Sequence, residues 1–148
     1  MCARHLVMLW WRFANCCATM TALLSLIIDD RWRTLRYRAA WMLYVAIVLM
    51  GSVPGVRAEM GNVASGIVLH TVAYGAITFG LFTGTSASKQ TRALRSIGTV
   101  VLMGAVDELV QSFLPYRRGA VSDWLIDCNA AVIMVALLWA WLPEPRAR

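Results

Sequence analysis

Charged residues are scarce in this chain, and several long stretches contain none. Of its 148 residues, 15% are charged and 59% are hydrophobic, and the mean hydropathy is +0.61. An ordinary soluble domain carries about 25% charged residues. The shortage of charge therefore argues against a soluble domain and favours a small integral membrane protein with one compact helical domain.

Residues that bind metals or form disulfides are also few. The chain has four cysteines and two histidines, and no two cysteines have CxxC spacing. Structural zinc sites combine several such ligands at close spacing. We therefore expect no metal and no cofactor. We interpret the cysteines as small buried hydrophobic side chains or reduced thiols, with palmitoylation of Cys16 or Cys17 as the alternative.

The net charge of +6 comes from basic residues that flank the apolar segments. A nucleic-acid-binding protein would gather its basic residues on one solvated face of a polar fold, so we expect no nucleic-acid partner. Basic residues beside apolar segments instead follow the positive-inside rule and contact anionic head groups. Membrane lipids are therefore the expected partners.

Four largely apolar segments, at 39–56, 60–88, 92–115 and 122–143, each contain a candidate helix, and the serines, threonines and glycine at 83–88 are expected to form a loop. Each reaches the length of about 17–25 residues that a membrane span requires. Pro54 with Gly55, then Pro115, then Pro143 are expected to end three of these helices. The sequence thus predicts an all-α fold, a polytopic transmembrane bundle of four core helices. This membrane domain occupies 39–143, and a basic tail follows at 144–148.

The N-terminal hydrophobic segment at 1–38 has three interpretations that stay open. Its uncharged run at 13–28 is about sixteen residues long, slightly short for a span. The run is a fifth span, a helix in the membrane interface, or sequence upstream of the true start. It resembles a signal peptide, but no small-residue cleavage site precedes the acidic pair at 29–30.

The distribution of basic residues between loops predicts the orientation. The larger set consists of Arg31, Arg33, Arg36, Arg38, Lys89, Arg92, Arg95, Arg146 and Arg148, and the smaller set of Arg57, Arg117 and Arg118. Cytoplasmic loops carry the excess of lysine and arginine. We therefore expect a protein of the plasma (inner) membrane, with both ends of the core in the cytoplasm and the turn at 115–118 on the outer side.

Polar side chains on three of the predicted helices have spacings that place them on shared faces. Residues three or four apart lie on one helix face. This spacing relates His70 to Tyr74, Asp107 and Glu108 to Gln111, and Asp123 to Asp127. An ionisable side chain costs roughly 2.5–3.5 kcal/mol inside a bilayer, so such residues usually face a bundle interior or a wet cavity. We expect the three helices to converge on one polar pocket that opens toward the exterior.

The turn between the two acidic pairs adds a cation to this pocket. Pro115 stops one helix, and Gly119 is expected to permit the backbone conformation that starts the next. Arg117 lies between them. Its guanidinium either neutralises Glu108 and Asp123 or binds an anionic ligand.

Each polar residue also has a purely structural interpretation. The pair of Ser122 and Asp123 precedes an apolar run, as a helix N-cap does. Hydrogen bonds from Glu108 and Gln111 would hold helices together in lipid. His70 is expected to pack against a neighbouring carboxylate rather than bind a metal, because too few other ligands are evident.

The segment DELVQSFLPYRRGAVSDWLID, at 107–127, resembles the signature of the VanZ-like family of small integral membrane proteins. In that family an acidic pair, a glutamine, a turn with proline and arginine, and a later aspartate recur in this order. The segment IVLHTVAYGAITFGL resembles the family's second-helix motif, and GSVPG resembles the end of its first helix. The resemblance covers 41–142 and leaves the N-terminal part outside.

The resemblance implies which residues recur in the family. They fall on His70, Tyr74, Asp107, Glu108, Gln111, Pro115, Arg117, Gly119, Asp123 and Asp127. Two positions depart from the pattern, since Tyr116 stands where glycine is common and Ala130 where glycine usually follows the last aspartate. These departures concern turn geometry and helix packing and remove no charge.

The family takes its name from a protein associated with resistance to the glycopeptide teicoplanin, so the resemblance implies a role in the cell envelope. We hypothesise a non-enzymatic membrane protein whose outward-facing polar residues bind a lipid-linked envelope precursor or a glycopeptide. Two alternatives stay open. One is a membrane-embedded enzyme acting on a lipid or polyprenyl phosphate, with Glu108 or Asp123 as general base and His70 as its partner. The other is a structural accessory subunit.

Overall fold

The computed structural model describes residues 29–61, 64–117 and 119–142, apart from the side chains at 57 and 58. A 3-10 helix, Asp30–Trp32, precedes five α-helices. These are α1 (Arg33–Gly51), α2 (Val56–Gly61), α3 (Gly66–Gly84), α4 (Lys89–Ser112) and α5 (Val121–Trp141). The described chain contains only helices and connecting turns, which confirms the all-α prediction. The predictions for the run at 13–28, for Cys2, Cys16, Cys17 and Arg118, and for the tail at 144–148 lie outside the described residues.

Two units of the chain, Met1–Arg33 and Thr34–Arg148, each have their own internal contacts. In the first unit, the backbone N–H of Arg31 donates to Asp29 Oδ1 at 2.9 Å and caps the 3-10 helix. The remaining description concerns the second unit, which contains the predicted site.

Side-chain caps and one turn explain where the helices of the second unit begin and end. Ser65 caps α3, because its hydroxyl accepts from the backbone N–H of Val68 at 3.4 Å. Ser88 caps α4 in the same way. The turn after α1 contains Gly55 with a φ of +88°, a conformation that favours glycine. The predicted stop at Pro54 and Gly55 is therefore confirmed.

The core of the bundle lies between α3, α4 and α5. Its most deeply buried apolar side chains are Tyr74, Ile77, Leu81, Phe82, Val100, Met103, Ala130 and Ala131. The first half of α1 packs against α3 where α3 carries glycine. A Cβ on Gly80 would lie 2.9 Å from the Cβ of Ala40, and one on Gly84 would lie 2.7 Å from the backbone nitrogen of Tyr37. Glycine at these positions lets the two helices approach closely.

Three long-range hydrogen bonds define the two ends of the bundle. Arg36 donates to the carbonyl oxygen of Thr83 at 3.1 Å, which joins the start of α1 to the end of α3. Lys89 Nζ donates to the carbonyl oxygen of Leu142 at 2.6 Å, which joins the start of α4 to the end of α5. At the opposite end, the hydroxyl of Tyr116 donates to the carbonyl oxygen of Ser52 at 2.5 Å. The four long helices thus alternate in direction, as in an up-down bundle.

Two of these helices, α3 and α5, are long and apolar enough to cross a membrane by length and composition. The other two long helices carry more charge. Arg36 and Arg38 lie in the first turns of α1, and Asp107 and Glu108 lie near the end of α4. The four helices of the predicted core are present among the described residues. Two of them have the length and apolar composition of a membrane span.

Candidate functional site

The predicted polar residues meet at the end of the bundle where α3 and α5 begin and α4 ends. We call the following set the polar cluster: His70, Tyr74, Asp107, Glu108, Gln111, Arg117, Asp123 and Asp127. Asp107, Glu108, Gln111 and Asp127 are buried. The helices α3, α4 and α5 each contribute to the cluster, as the spacing predicted.

His70 lies between two carboxylates that are one turn apart on α5. Its Nδ1 lies 2.8 Å from Asp127 Oδ1, and Asp127 is fully buried. Its Nε2 lies 3.8 Å from Asp123 Oδ2. The ring also stacks on Tyr74, with centroids 6.0 Å apart. His70 therefore connects α3 to both acidic residues of α5.

Tyr74 connects the same helix to α4. Its hydroxyl donates to Asp107 Oδ2 at 3.0 Å, and both side chains are buried. A hydroxyl directed at a carboxylate in a water-poor interior offsets part of the cost of burying that carboxylate.

Glu108 connects α4 to the turn that begins α5. Its Oε2 accepts from the backbone N–H of Ala120 at 2.5 Å. The turn passes so close to α4 that a Cβ on Gly119 would collide with the carbonyl oxygen of Glu108. The positive φ that favours glycine is found at Gly55. Gly119 is needed for the close approach of the turn to α4, a role that the sequence did not predict.

Asp123 is a member of the cluster and does not cap α5. The N-cap of α5 is Ala120, whose side chain makes no capping hydrogen bond. The interpretation of Ser122 and Asp123 as the N-cap is therefore wrong. Asp123 lies in the first turn, where its negative charge interacts favourably with the helix dipole and its side chain reaches toward His70.

Arg117 and Tyr116 hold the turn between α4 and α5. The Arg117 guanidinium donates to Gln111 Oε1, which keeps it beside the cluster. Tyr116, one of the two departures from the resembled pattern, donates to Ser52 beyond the end of α1. The other departure, Ala130, is buried in the core with 4% of its surface exposed. Both exchanges are thus accommodated in the described fold.

A cavity of about 640 Å³ opens beside the polar cluster. Its polar end is formed by His70, Tyr74, Asp107, Gln111 and Arg117. The rest of its wall comes mainly from apolar residues of α1, α2 and α3, among them Ile47, Met60 and Val72. These apolar residues were not singled out from the sequence, which is rich in such side chains and gives no signal for which of them line a cavity.

Three members of the cluster also have the ligand chemistry of a metal site. One ligand atom each from His70, Glu108 and Asp127 lies within 4.8 Å of the other two. His70 packs against a carboxylate, as expected, and the carboxylates that α4 and α5 contribute raise the number of potential ligands to three.

Comparisons with known proteins add one finding to this geometry. The VanZ/LLP1 family model matches residues 27–142, a span that contains all five helices and the whole polar cluster. No curated protein and no solved structure matches the chain.

Proposed function

Because the chain belongs to the VanZ/LLP1 family, we propose that it is an inner-membrane protein of the cell envelope that binds an anionic, lipid-linked envelope component. The observation that carries this proposal is the cavity of about 640 Å³, whose wall is apolar except beside the polar cluster. Ligand sites commonly combine apolar walls with a few polar groups that orient the ligand. An amphiphile with an apolar chain and an anionic head matches both parts.

Membrane placement is supported by the family and by the apolar helices α3 and α5. Large apolar side chains are also exposed on the other two long helices, as with Met42 on α1 and Leu102 on α4. Exposed apolar surface of this extent is typical of contact with lipid or protein. On this proposal all four long helices cross the membrane.

The two faces of α4 support its place as a span. Its acidic residues Asp107 and Glu108 are buried toward the bundle, whereas Leu102 and Leu109 are 69% and 56% exposed. Ionisable side chains in membrane helices face the bundle interior or a cavity in this way. The charges that lower the hydropathy of α4 are thus compatible with a lipid-facing apolar surface on its other side.

The head of the ligand is assigned to the end of the cavity that contains Arg117. A guanidinium forms paired hydrogen bonds with phosphate or carboxylate and keeps its charge. Gln111, which accepts a hydrogen bond from Arg117, holds the guanidinium at the cavity. A polyprenyl phosphate, a lipid-linked precursor and the carboxylate of a glycopeptide share this anionic chemistry.

Binding of a polyprenyl phosphate to the purified protein in detergent tests the assignment of the head. We expect Arg117→Ala to weaken binding by at least about tenfold, which corresponds to about 1.4 kcal/mol. Arg38→Ala removes an exposed arginine outside the cavity and is the matched control. Equal affinity of the two variants would contradict the proposal.

A bulky residue in the apolar wall tests the assignment of the chain. Val72 is exposed on α3 and lines the cavity, whereas Leu102 is exposed on α4 away from it. We expect Val72→Trp to reduce binding of the same probe and Leu102→Trp to leave it unchanged. A greater loss of probe binding in Leu102→Trp than in Val72→Trp would show that the apolar chain of the ligand lies elsewhere.

The pairing of His70 with Asp127 favours a second candidate function. A histidine held by a carboxylate and lining a cavity is suited to take a proton from a water molecule as that water attacks a lipid diphosphate and displaces phosphate. Release of inorganic phosphate from polyprenyl diphosphate in proteoliposomes tests it. If the protein is an enzyme, the wild type releases inorganic phosphate and His70→Gln does not. If the wild type releases none, the enzymatic function is excluded and the binding function remains.

A further inference from the structure

Three side chains from three helices bring metal-binding atoms together at the buried side of the polar cluster. His70 comes from α3, Glu108 from α4 and Asp127 from α5, and one ligand atom of each lies within 4.8 Å of the others. Imidazole nitrogen and carboxylate oxygen are ligands for first-row divalent cations such as Mn²⁺ and Zn²⁺.

Two oxygens of this group have no hydrogen-bond partner among the described residues. They are Glu108 Oε1 and Asp127 Oδ2, and both are buried. Asp127 has no exposed surface and Glu108 has 9%. Buried polar atoms in folded proteins nearly always have a partner, so a bound water or ion is the expected partner of these two oxygens.

The charges of the group favour an ion over water. Two carboxylates face a single imidazole, so the ionised carboxylates carry two negative charges against at most one positive charge on His70. Water would satisfy the hydrogen-bonding capacity of an oxygen but would not offset its charge. Buried charges in proteins are paired or coordinate metals.

We infer that His70, Glu108 and Asp127 form a binding site for a divalent cation. Ligand atoms bonded at about 2.1 Å to one metal lie at most about 4.2 Å apart, so small rotations of these side chains bring them into range. Glycine at position 104 keeps α5 close to α4 here, since a Cβ on Gly104 would lie 2.9 Å from Asp127 Oδ2. The close approach holds Asp127 beside the face of α4 that carries Glu108.

This site does not depend on the binding of a lipid-linked component. Glu108 and Asp127 are absent from the residues that line the large cavity, and the cation is measured without added lipid ligand. Failure of metal binding and failure of lipid binding are therefore separate results.

Equilibrium dialysis of the full-length protein in detergent against MnCl₂, after removal of metal with EDTA, tests the inference. Mn²⁺ is the chosen probe because thiolates of the cysteines favour softer metals. We expect the wild type to bind a single Mn²⁺ per chain. In Glu108→Gln and in Asp127→Asn we expect the Kd for Mn²⁺ to rise at least about tenfold, the effect of losing a group that supports a metal ligand. Glu59→Gln is the matched control, because it removes an exposed carboxylate outside the polar cluster and outside the cavity.

Thermal unfolding separates loss of a ligand from loss of the fold. A cation that binds only the folded state raises the Tm. We expect MnCl₂ to raise the Tm of the wild type and of Glu59→Gln but not of Glu108→Gln. His70→Gln is a further ligand variant if an acidic variant does not fold. Absence of bound Mn²⁺, or equal affinity in the wild type and all ligand variants, would overturn the inference.

Discussion

Each buried acid of the polar cluster connects a different pair of structural elements. Asp107 on α4 accepts from Tyr74 on α3, and Asp127 on α5 contacts His70 on α3. Glu108 on α4 accepts from Ala120 at the start of α5. In an interior of low dielectric such contacts are stronger than in water, and an unpaired acid costs more. The acids therefore contribute to the geometry of the bundle as well as to its chemistry.

The bond between Tyr74 and Asp107 can be tested by removing one hydroxyl. We expect Tyr74→Phe to lower the free energy of unfolding by about 0.6–1.7 kcal/mol, the range for hydrogen bonds between membrane helices. The measurement is denaturant-induced unfolding in detergent micelles. Tyr116→Phe removes a hydroxyl from a residue that is 47% exposed. Its effect should be smaller because water can replace the lost partner, and an equal effect would argue against a buried bond at Tyr74.

For individual residues, the sequence predicted which side chains belong to the polar cluster but not which partner each of them contacts. Helical spacing alone places Asp123 and Asp127 on one face. Whether Asp123 caps α5 or turns toward His70 depends on where the helix begins, and Ala120 takes the cap position. The role of Gly119 likewise depends on the distance between the turn and Glu108, which local sequence does not encode.

Among the elements, α1 and α3 approach each other closely at Gly80 and Gly84. Arg36 also donates across this contact to the carbonyl oxygen of Thr83. Small residues permit such an approach in membrane proteins, where dispersion contacts and hydrogen bonds, rather than the hydrophobic effect, hold helices together. The contact at Gly80 should therefore be sensitive to a single added methyl group.

Gly80→Ala places that methyl group in the contact. Its Cβ would lie 2.9 Å from the Cβ of Ala40 and 2.9 Å from the carbonyl oxygen of Arg36. We expect a loss of about 1–3 kcal/mol in the free energy of unfolding, the usual cost of overpacking. Gly98→Ala is the control, because nothing lies within 4 Å of its added Cβ. There alanine should stabilise α4 by up to about 1 kcal/mol through helix propensity, and equal effects at both positions would contradict the close contact.

The boundaries of the elements were predicted best where proline, glycine or serine marks them. The turn at Gly55 and the end of α4 before Pro115 lie close to their predicted places. The first helix was predicted to start at residue 39, after the last basic residue, yet α1 begins at Arg33. Hydropathy indicates which residues can lie in lipid but not where a helix begins. Arginine is itself a good helix former, so the helix extends into the basic residues. The short helix α2 was not predicted because six residues are too few to show a periodic pattern.

For the whole molecule, the alternating helices place two chemically different ends opposite each other. One end contains the starts of α1 and α4, where Arg36 and Lys89 bond to backbone carbonyls of neighbouring segments. The other end contains the polar cluster. Lys89 is buried, lies 5.3 Å from the ring centroid of Trp139, and bonds to Leu142. Basic residues at the end that contains the starts of α1 and α4 therefore stabilise the bundle by bonding to backbone carbonyls.

Labelling of single cysteines in spheroplasts tests the proposed orientation, with the native cysteines replaced by serine. Ser86 is exposed between α3 and α4, and Pro115 is exposed in the turn between α4 and α5. We expect a membrane-impermeant maleimide to label Pro115→Cys in intact spheroplasts. Ser86→Cys should react only after the membrane is permeabilised, because the proposed orientation places the end with more basic residues in the cytoplasm.

The labelling pattern also decides how the polar cluster relates to the envelope. Arg117 lies two residues from Pro115, so reagent that reaches position 115 from outside reaches the neighbourhood of the cluster as well. A component assembled on the outer face of the inner membrane would then have direct access to the cavity. Labelling of Ser86→Cys alone in intact spheroplasts would reverse the orientation and direct the cavity toward cytoplasmic lipids. Labelling of both positions would contradict an odd number of membrane crossings between them.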